Sequence, residues 1–157
     1  MTGSKTLVAY FSASGVTKRV AEEVARAIGA DLFEIVPAEP YTAADLNWND
    51  PGSRSSREDH DASIRPAVAS AVRDMGAYDT LLVGFPIWWG HEPAIVDTFL
   101  EQYDLSGKTL IPFATSGGSG VGGAERSLAR KYPAVSWQRG ALLSTSNAAG
   151  WARGAVA

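Results

Sequence analysis

The stretch Thr6-Leu7-Val8-Ala9-Tyr10-Phe11-Ser12-Ala13-Ser14-Gly15-Val16-Thr17 decides the fold of this chain. Leu7–Phe11 is a short apolar run that stops in a cluster of hydroxyls around one glycine. Helical spacing begins at once, with Val16, Val20, Val24 and Ile28 at every fourth position, flanked by Ala21 and Ala25. The pattern predicts a buried strand, a tight polar turn and an amphipathic helix in direct succession. A helix N-terminus leaves backbone N–H groups unpaired, and its aligned peptide dipoles make that end partly positive. Ser12, Ser14 and Thr17 set hydroxyls around the same point, so the turn is suited to a phosphate. It is not the G-x-x-x-x-G-K-S/T loop, because no lysine or arginine lies between Ser12 and Thr17, nor G-x-G-x-x-G, because Gly15 stands alone. Neutral dipoles suit a terminal phosphate monoester that is bound and kept. Helix capping is the plainer use of Ser14 or Thr17.

At 157 residues, with 45% hydrophobic and 20% charged residues, the chain has the make-up of one soluble globular domain spanning 1–157. No apolar run reaches membrane-spanning length, and Met1-Thr2-Gly3-Ser4-Lys5 has no signal-peptide core, so a cytoplasmic protein without a membrane partner is expected. The absence of cysteine excludes disulfides and thiolate chemistry. A net charge of −3 argues against a nucleic-acid surface.

Apolar runs recur at Leu32–Val36, Leu81–Phe85 and Leu110–Ala114, with a weaker one over Val135–Leu143. Helical patterns separate them at Pro66–Met75, Pro93–Gln102 and Ala124–Lys131, with a short last candidate at Ala148–Val156. Strands apolar on both faces and alternating with helices predict a doubly wound, five-stranded parallel sheet covered on each side. Pro112 inside the fourth strand hints at an edge or a bulge, since proline deletes a ladder hydrogen bond. Residues 37–65 break the rhythm with a long polar stretch that suits either a functional or a mobile loop.

In such a sheet ligands bind beyond the carboxyl ends of the strands, so two further loops are read with the phosphate turn. The first is Pro86-Ile87-Trp88-Trp89-Gly90-His91-Glu92-Pro93. Two adjacent tryptophans cannot both point inward from extended backbone, so one is expected on the surface or against something planar, where a dimer contact is the alternative. The second, Thr115-Ser116-Gly117-Gly118-Ser119-Gly120-Val121-Gly122-Gly123, carries no bulky side chain except Val121, so its backbone can approach a flat ligand.

From about Lys5 to Leu143 the chain resembles the short-chain flavodoxin-like FMN-binding proteins. The residues that carry the likeness are Tyr-Phe-Ser-x-Ser-Gly-x-Thr at 10–17, Phe85-Pro86-Ile87-Trp88-Trp89-Gly90, the run from Thr98 to Thr109, and Pro112-Phe113-Ala114-Thr115-Ser116-Gly117-Gly118-Ser119-Gly120. Asn49-Asp50-Pro51-x-Ser53-Arg54-Ser55-Ser56 is similar to a loop in one branch of that family. The resemblance implies strand order 2-1-3-4-5 and FMN as the cofactor. It places Ser12, Ser14, Gly15, Val16 and Thr17 at the phosphate, and Pro86, Ile87, Trp88, Trp89 and Gly90 along the isoalloxazine. Ser116, Gly117, Gly118 and Gly120 would stand at the other edge of the ring. The chain departs from the family in its short closing segment, Asn147–Ala157, a helix that only packing would hold.

No catalytic acid or base and no metal ligand is expected. His91 lies beside the implied ring site, or simply faces solvent; Asp59 and Asp61 around His60 are too common a pattern to mean metal. A flavin would carry the redox chemistry, and Gly90 would allow the backbone rearrangement that flavodoxins are understood to make. An electron-transfer protein with a redox partner protein is the leading expectation, although a charge of −3 steers basic partners only weakly. A reductase passing hydride from NAD(P)H to a quinone or nitroaromatic is the alternative, with Arg54 and Arg57 as cover or phosphate contacts. A flavin-free binding module is a third. Monomer and homodimer both fit. A phosphate-accepting receiver would want aspartates where Phe11 and Phe85 stand, and a phosphatase on this scaffold needs a cysteine.

Overall fold

The quoted stretch folds as its pattern dictates. In the structure, a computed structural model describing residues 5–116 and 120–156, β1 (Lys5–Tyr10) runs into a turn at residues 11–15 and then α1 (Val16–Ile28). Val20, Ala21, Val24 and Ala25 bury one stripe of α1, and Gly29, at φ 65°, ends it by donating its N–H to the Ala25 carbonyl. The remaining elements are β2 (Asp31–Glu34), α2 (Arg54–His60), a 3₁₀ turn (Met75–Ala77), β3 (Tyr78–Pro86) and α3 (Ala94–Glu101), then β4 (Thr109–Thr115), α4 (Gly122–Lys131), β5 (Ser136–Trp137), β6 (Ala141–Leu142) and α5 (Ala148–Ala155).

All strand pairs are parallel, in the order β2-β1-β3-β4-β5, with β6 also on β4. Period-2 alternation splits the core between the two faces of the sheet. Leu7, Ala9, Phe11, Leu81, Val83, Phe85 and Leu110 pack with Ile95, Phe99, Ala124 and Leu128 of α3 and α4. Val8, Tyr10, Leu82, Ile111 and Phe113 pack on the other face with Val20, Val24, Ala148 and Ala152 of α1 and α5. The short α5 is held by that packing, with Ala148 and Ala152 fully buried and Trp151 6.0 Å from the Phe113 ring.

Three expectations need correction. The fifth strand position is filled by two separate two-residue strands, and Pro112 explains the break. Gln138 donates its N–H to the Leu110 carbonyl and Leu143 donates its N–H to the Ala114 carbonyl, both at 2.8 Å. Pro112 shares their parity, so the N–H it lacks would face the outer position between β5 and β6, and β4 can donate no ladder bond there. The helix expected over Pro66–Met75 is absent. Val68 bridges Pro37 antiparallel, the Ala38 N–H reaches the Ala67 carbonyl at 2.8 Å, and the Ala69 N–H reaches the Val36 carbonyl at 2.7 Å. The Val72 N–H goes to the Tyr103 hydroxyl at 2.8 Å. Long-range backbone pairing thus overrides local propensity there. Residues 37–65 instead contain α2, capped by the Ser53 side chain accepting from the Ser56 N–H. Arg54 and Arg57 are engaged inside this excursion. Arg54 bonds Glu58 (2.8 Å) and the Glu39 carbonyl (2.7 Å) and lies 3.9 Å above the Tyr41 ring, while Arg57 donates to the Gly52 carbonyl at 3.1 Å. Among the described residues no helix is long and apolar enough to cross a membrane.

Candidate functional site

At the carboxyl edge of the sheet the turn after β1 closes on Gly15, whose φ of 93° suits a residue without a side chain. Ser12 Oγ accepts the N–H groups of Gly15 and Lys18, each at 3.1 Å, and so braces the turn from within. Thr17 is buried, its hydroxyl 2.7 Å from that of Thr115, which ties the start of α1 to the end of β4. The N–H groups of Ser14, Val16 and Thr17 meet no acceptor among the described residues. Donors left free at a helix N-terminus suit an anion. Arg19 adds what the sequence reading lacked. Its Nη1 lies 3.6 Å from where a Cβ on Gly15 would stand, so the cup has a cation at its side.

The second loop leaves β3 at Pro86, and the Ile87 N–H donates to the Thr115 carbonyl at 2.9 Å. Trp88 through His91 form a tight turn closed by N–H to carbonyl bonds in both directions (3.0 and 3.2 Å). Its two central residues, Trp89 at φ 50° and Gly90 at φ 81°, both have positive φ, as a type I′ turn requires. The tryptophans divide one inward and one outward as expected, but through this turn and not through extended backbone. Trp88 packs edge-on against Phe11 (5.6 Å) and Tyr41 (5.5 Å), and Trp89 stays 38% exposed. His91 does not face solvent freely: Nε2 lies 2.7 Å from Asp59 Oδ1 and Nδ1 lies 2.9 Å from the Glu92 carbonyl.

These loops enclose two adjoining cavities. One, of about 640 Å³, takes Ser14, Pro86, Ile87, Trp88, Trp89 and Ser116 into its wall. The other, of about 530 Å³, shares Ser14, Pro86, Ile87 and Ser116 and adds Val16. Ser12, Gly15 and Thr17 line neither cavity, and Gly90 borders a third one of about 390 Å³. Gly120 lies on neither wall. Gly117 and Gly118 lie outside the described residues.

Sequence reasoning missed part of the groove. Leu46, Trp48 and Ser55 wall the larger cavity, and Arg19, Leu143, Ser144 and Thr145 wall the second. Ser144 and Thr145 follow the last strand, so the rule that ligands sit beyond carboxyl ends points to them. Trp48, 69% exposed in a polar stretch, is its own signal. Ser55 is buried, borders the groove, and its Oγ has no hydrogen-bond partner among the described residues. The observed pieces fit a long ligand with a phosphate at one end and a flat apolar body.

Behind the tryptophan turn, two buried carboxylates share one lysine. Lys131 Nζ is 3.0 Å from Glu92 Oε2 and 3.0 Å from Asp97 Oδ2, Ser127 Oγ also donates to Glu92 Oε2, and the Tyr132 hydroxyl donates to Asp97 Oδ1. Burial first, then the charge of Asp97, pushes the Glu92 carboxyl up to about 7. The folded state therefore holds a proton on Glu92 that the unfolded chain releases near the ordinary glutamate value, so this group costs stability progressively as pH rises through that window. Relative to Glu92→Gln, the wild type should lose on the order of 2 kcal/mol of stability between pH 5 and pH 8. Urea unfolding of both proteins at the two pH values measures it; parallel pH profiles would show that Glu92 does not titrate in this way.

An open parallel sheet of order 2-1-3-4-5 with a groove across its carboxyl edge defines the flavodoxin-like class. The chain belongs to the flavodoxin family, whose model matches residues 5–153. It is similar to a candidate flavoprotein from Bacteroides eggerthii, at 46% identity over 99% of both chains with a TM-score of 0.93. A second, from Bacteroides uniformis, shares 49% identity over 96% of this chain and 99% of that one, with a TM-score of 0.92. A flavoprotein from Lactobacillus acidophilus, solved in complex with FMN, shares the fold at 24% identity and a TM-score of 0.77, over 95% of this chain and 99% of that one. A search of curated proteins finds no match.

Proposed function

We propose that this chain binds FMN and works as an electron-transfer flavoprotein. One observation carries the reading: Ser14 and Val16, whose N–H groups meet no acceptor among the described residues, and the aromatic wall at Trp88 border two adjoining cavities that share Ser14, Pro86, Ile87 and Ser116. The N–H groups of Ser14, Val16 and Thr17 would hold the phosphate, with Arg19 adding charge and Ser12 keeping the turn in shape. Ile87, Trp88 and Trp89 would hold the ring, with Ser116 along its other edge. Bound FMN would supply the electron uptake and release. Apolar walls oppose added negative charge on a bound ring, so Trp88 favours a lower potential than FMN has in water. The FMN complex of the Lactobacillus acidophilus relative supports the choice of ligand.

A second reading, an NAD(P)H-dependent reductase of quinones or nitroaromatics, is favoured by the exposed Trp48 and Trp89 on the same cavity, which offer a planar second substrate two aromatic surfaces. A visible absorption spectrum taken after adding FMN and then NADPH separates the two. Uptake of flavin without bleaching by NADPH is the expected result and supports a carrier. Rapid bleaching moves the assignment to the reductase, and no uptake removes both.

A further inference from the structure

The tip of the tryptophan turn rests on a helix at a point where a side chain is sterically excluded. A Cβ placed on Gly123, in the first turn of α4, would collide with the Gly90 carbonyl oxygen and stand 3.3 Å from its carbon. Both are backbone atoms, so no side-chain rotation relieves the collision. Its neighbour Gly122 differs: a Cβ there would meet only the end of the Arg126 side chain, at 3.2 Å, which is free to swing away.

The legs of the turn are fixed independently. Trp88 is wedged against Phe11 and Tyr41, and His91 is tied to Asp59 and the Glu92 carbonyl. The tip itself holds two successive residues at positive φ, one of them a tryptophan, which is a costly arrangement without support. α4 cannot easily yield, because its own Ala124, Ser127 and Leu128 are buried.

We propose that Gly123 is a positioning residue for the flavin site: its missing side chain lets α4 seat the Gly90 carbonyl and so fixes the turn that carries Trp88, Trp89 and Gly90. This rests on the FMN reading above, but the contact can be tested without flavin. Gly123→Ala should raise the amide exchange rates of Trp88 and His91 in the flavin-free protein at least about tenfold, while Gly122→Ala leaves them unchanged. With FMN added, Gly123→Ala should change the ratio of oxidised to reduced FMN affinity about tenfold, a midpoint shift near 30 mV for a two-electron couple. Wild-type exchange and an unaltered ratio in Gly123→Ala would overturn the proposal, as would equal effects of the two substitutions. Should Gly123→Ala fail to fold, native-state exchange of the wild type decides. Common opening of the Trp88, His91 and Glu125 amides supports the seat, and independent opening overturns it. Failure of the wild type to take up FMN would sink the function while the exchange results still report on the contact.

Discussion

Gly15→Val should abolish tight FMN binding, lowering affinity at least about 100-fold while the chain stays folded. Gly15 sits at φ 93°, a conformation in which a β-branched residue is strained by about 1–3 kcal/mol. Relief of that strain rotates the peptides around it, and with them the N–H groups of Ser14 and Val16. Gly15 also donates to Ser12 Oγ and accepts from the Arg19 N–H at 3.2 Å, so the brace and the first helical bond move together. Each N–H to phosphate bond is worth about 1.5–3 kcal/mol, and misdirecting two of them gives two or more decades in affinity. The strain alone is smaller than the stability expected of a domain this size. Gly29→Val is the matched comparison. It is equally left-handed, at φ 65°, at the other end of α1, and a Cβ there meets nothing within 4 Å. It should lose similar stability and no FMN affinity. Fluorescence titration with FMN and urea unfolding of both variants check this; wild-type affinity in Gly15→Val would remove the phosphate cup.

The contrast between these two glycines shows what the sequence could convey. Gly15 is legible because its surroundings are local: an apolar strand, hydroxyls and a four-residue stripe lie within one stretch of chain. The same holds for β3 and β4, where runs such as Leu81–Phe85 are apolar on both faces and can only be central. α2 is not legible, because Arg54–His60 has no apolar stripe and buries Ser55, Ser56 and Glu58 instead, the last through Arg54 and Tyr41. The Pro66–Met75 segment has helical spacing in Val68, Val72 and Met75, and all three do pack on the core. Val68 does so from backbone paired with residues 36–38, about 30 positions earlier, Val72 from backbone bonded to Tyr103, and Met75 from the 3₁₀ turn, partners that no local window sees. The groove follows the same division. Loops at strand ends are readable from topology, whereas Trp48 and Ser55 reach it only because the excursion folds back.

Gly84→Val, at the one glycine within the described strands, should destabilise the chain by about 3 kcal/mol. Gly84 lies in the middle layer of β3, paired with Tyr10 on one side and Phe113 on the other. Its face of the sheet is the one covered by α1 and α5, and the Phe113 ring occupies the space a side chain would fill. A Cβ would collide with the edge of that ring. Phe113 cannot retreat, since it is fully buried and packed beside Trp151 at 6.0 Å. The conflict therefore passes into α5, a helix of eight residues whose hold on the sheet is Ala148, Trp151 and Ala152. Overpacking of a core at this density forces either off-rotamer side chains or a backbone shift. Detachment of α5 is the cheaper route, because a helix that short has little stability of its own. Its loss would uncover Leu143 and disturb the adjoining Ser144 and Thr145, which wall the smaller cavity. Gly84→Val should consequently show lower urea midpoints and fast amide exchange across 148–155, with weaker FMN binding as a secondary effect. Replacing Phe113 by leucine in the same chain should restore part of both, since it removes the ring that the introduced valine side chain would strike. A double variant no more stable than Gly84→Val alone would place the damage in β3 itself and not in the contact with Phe113.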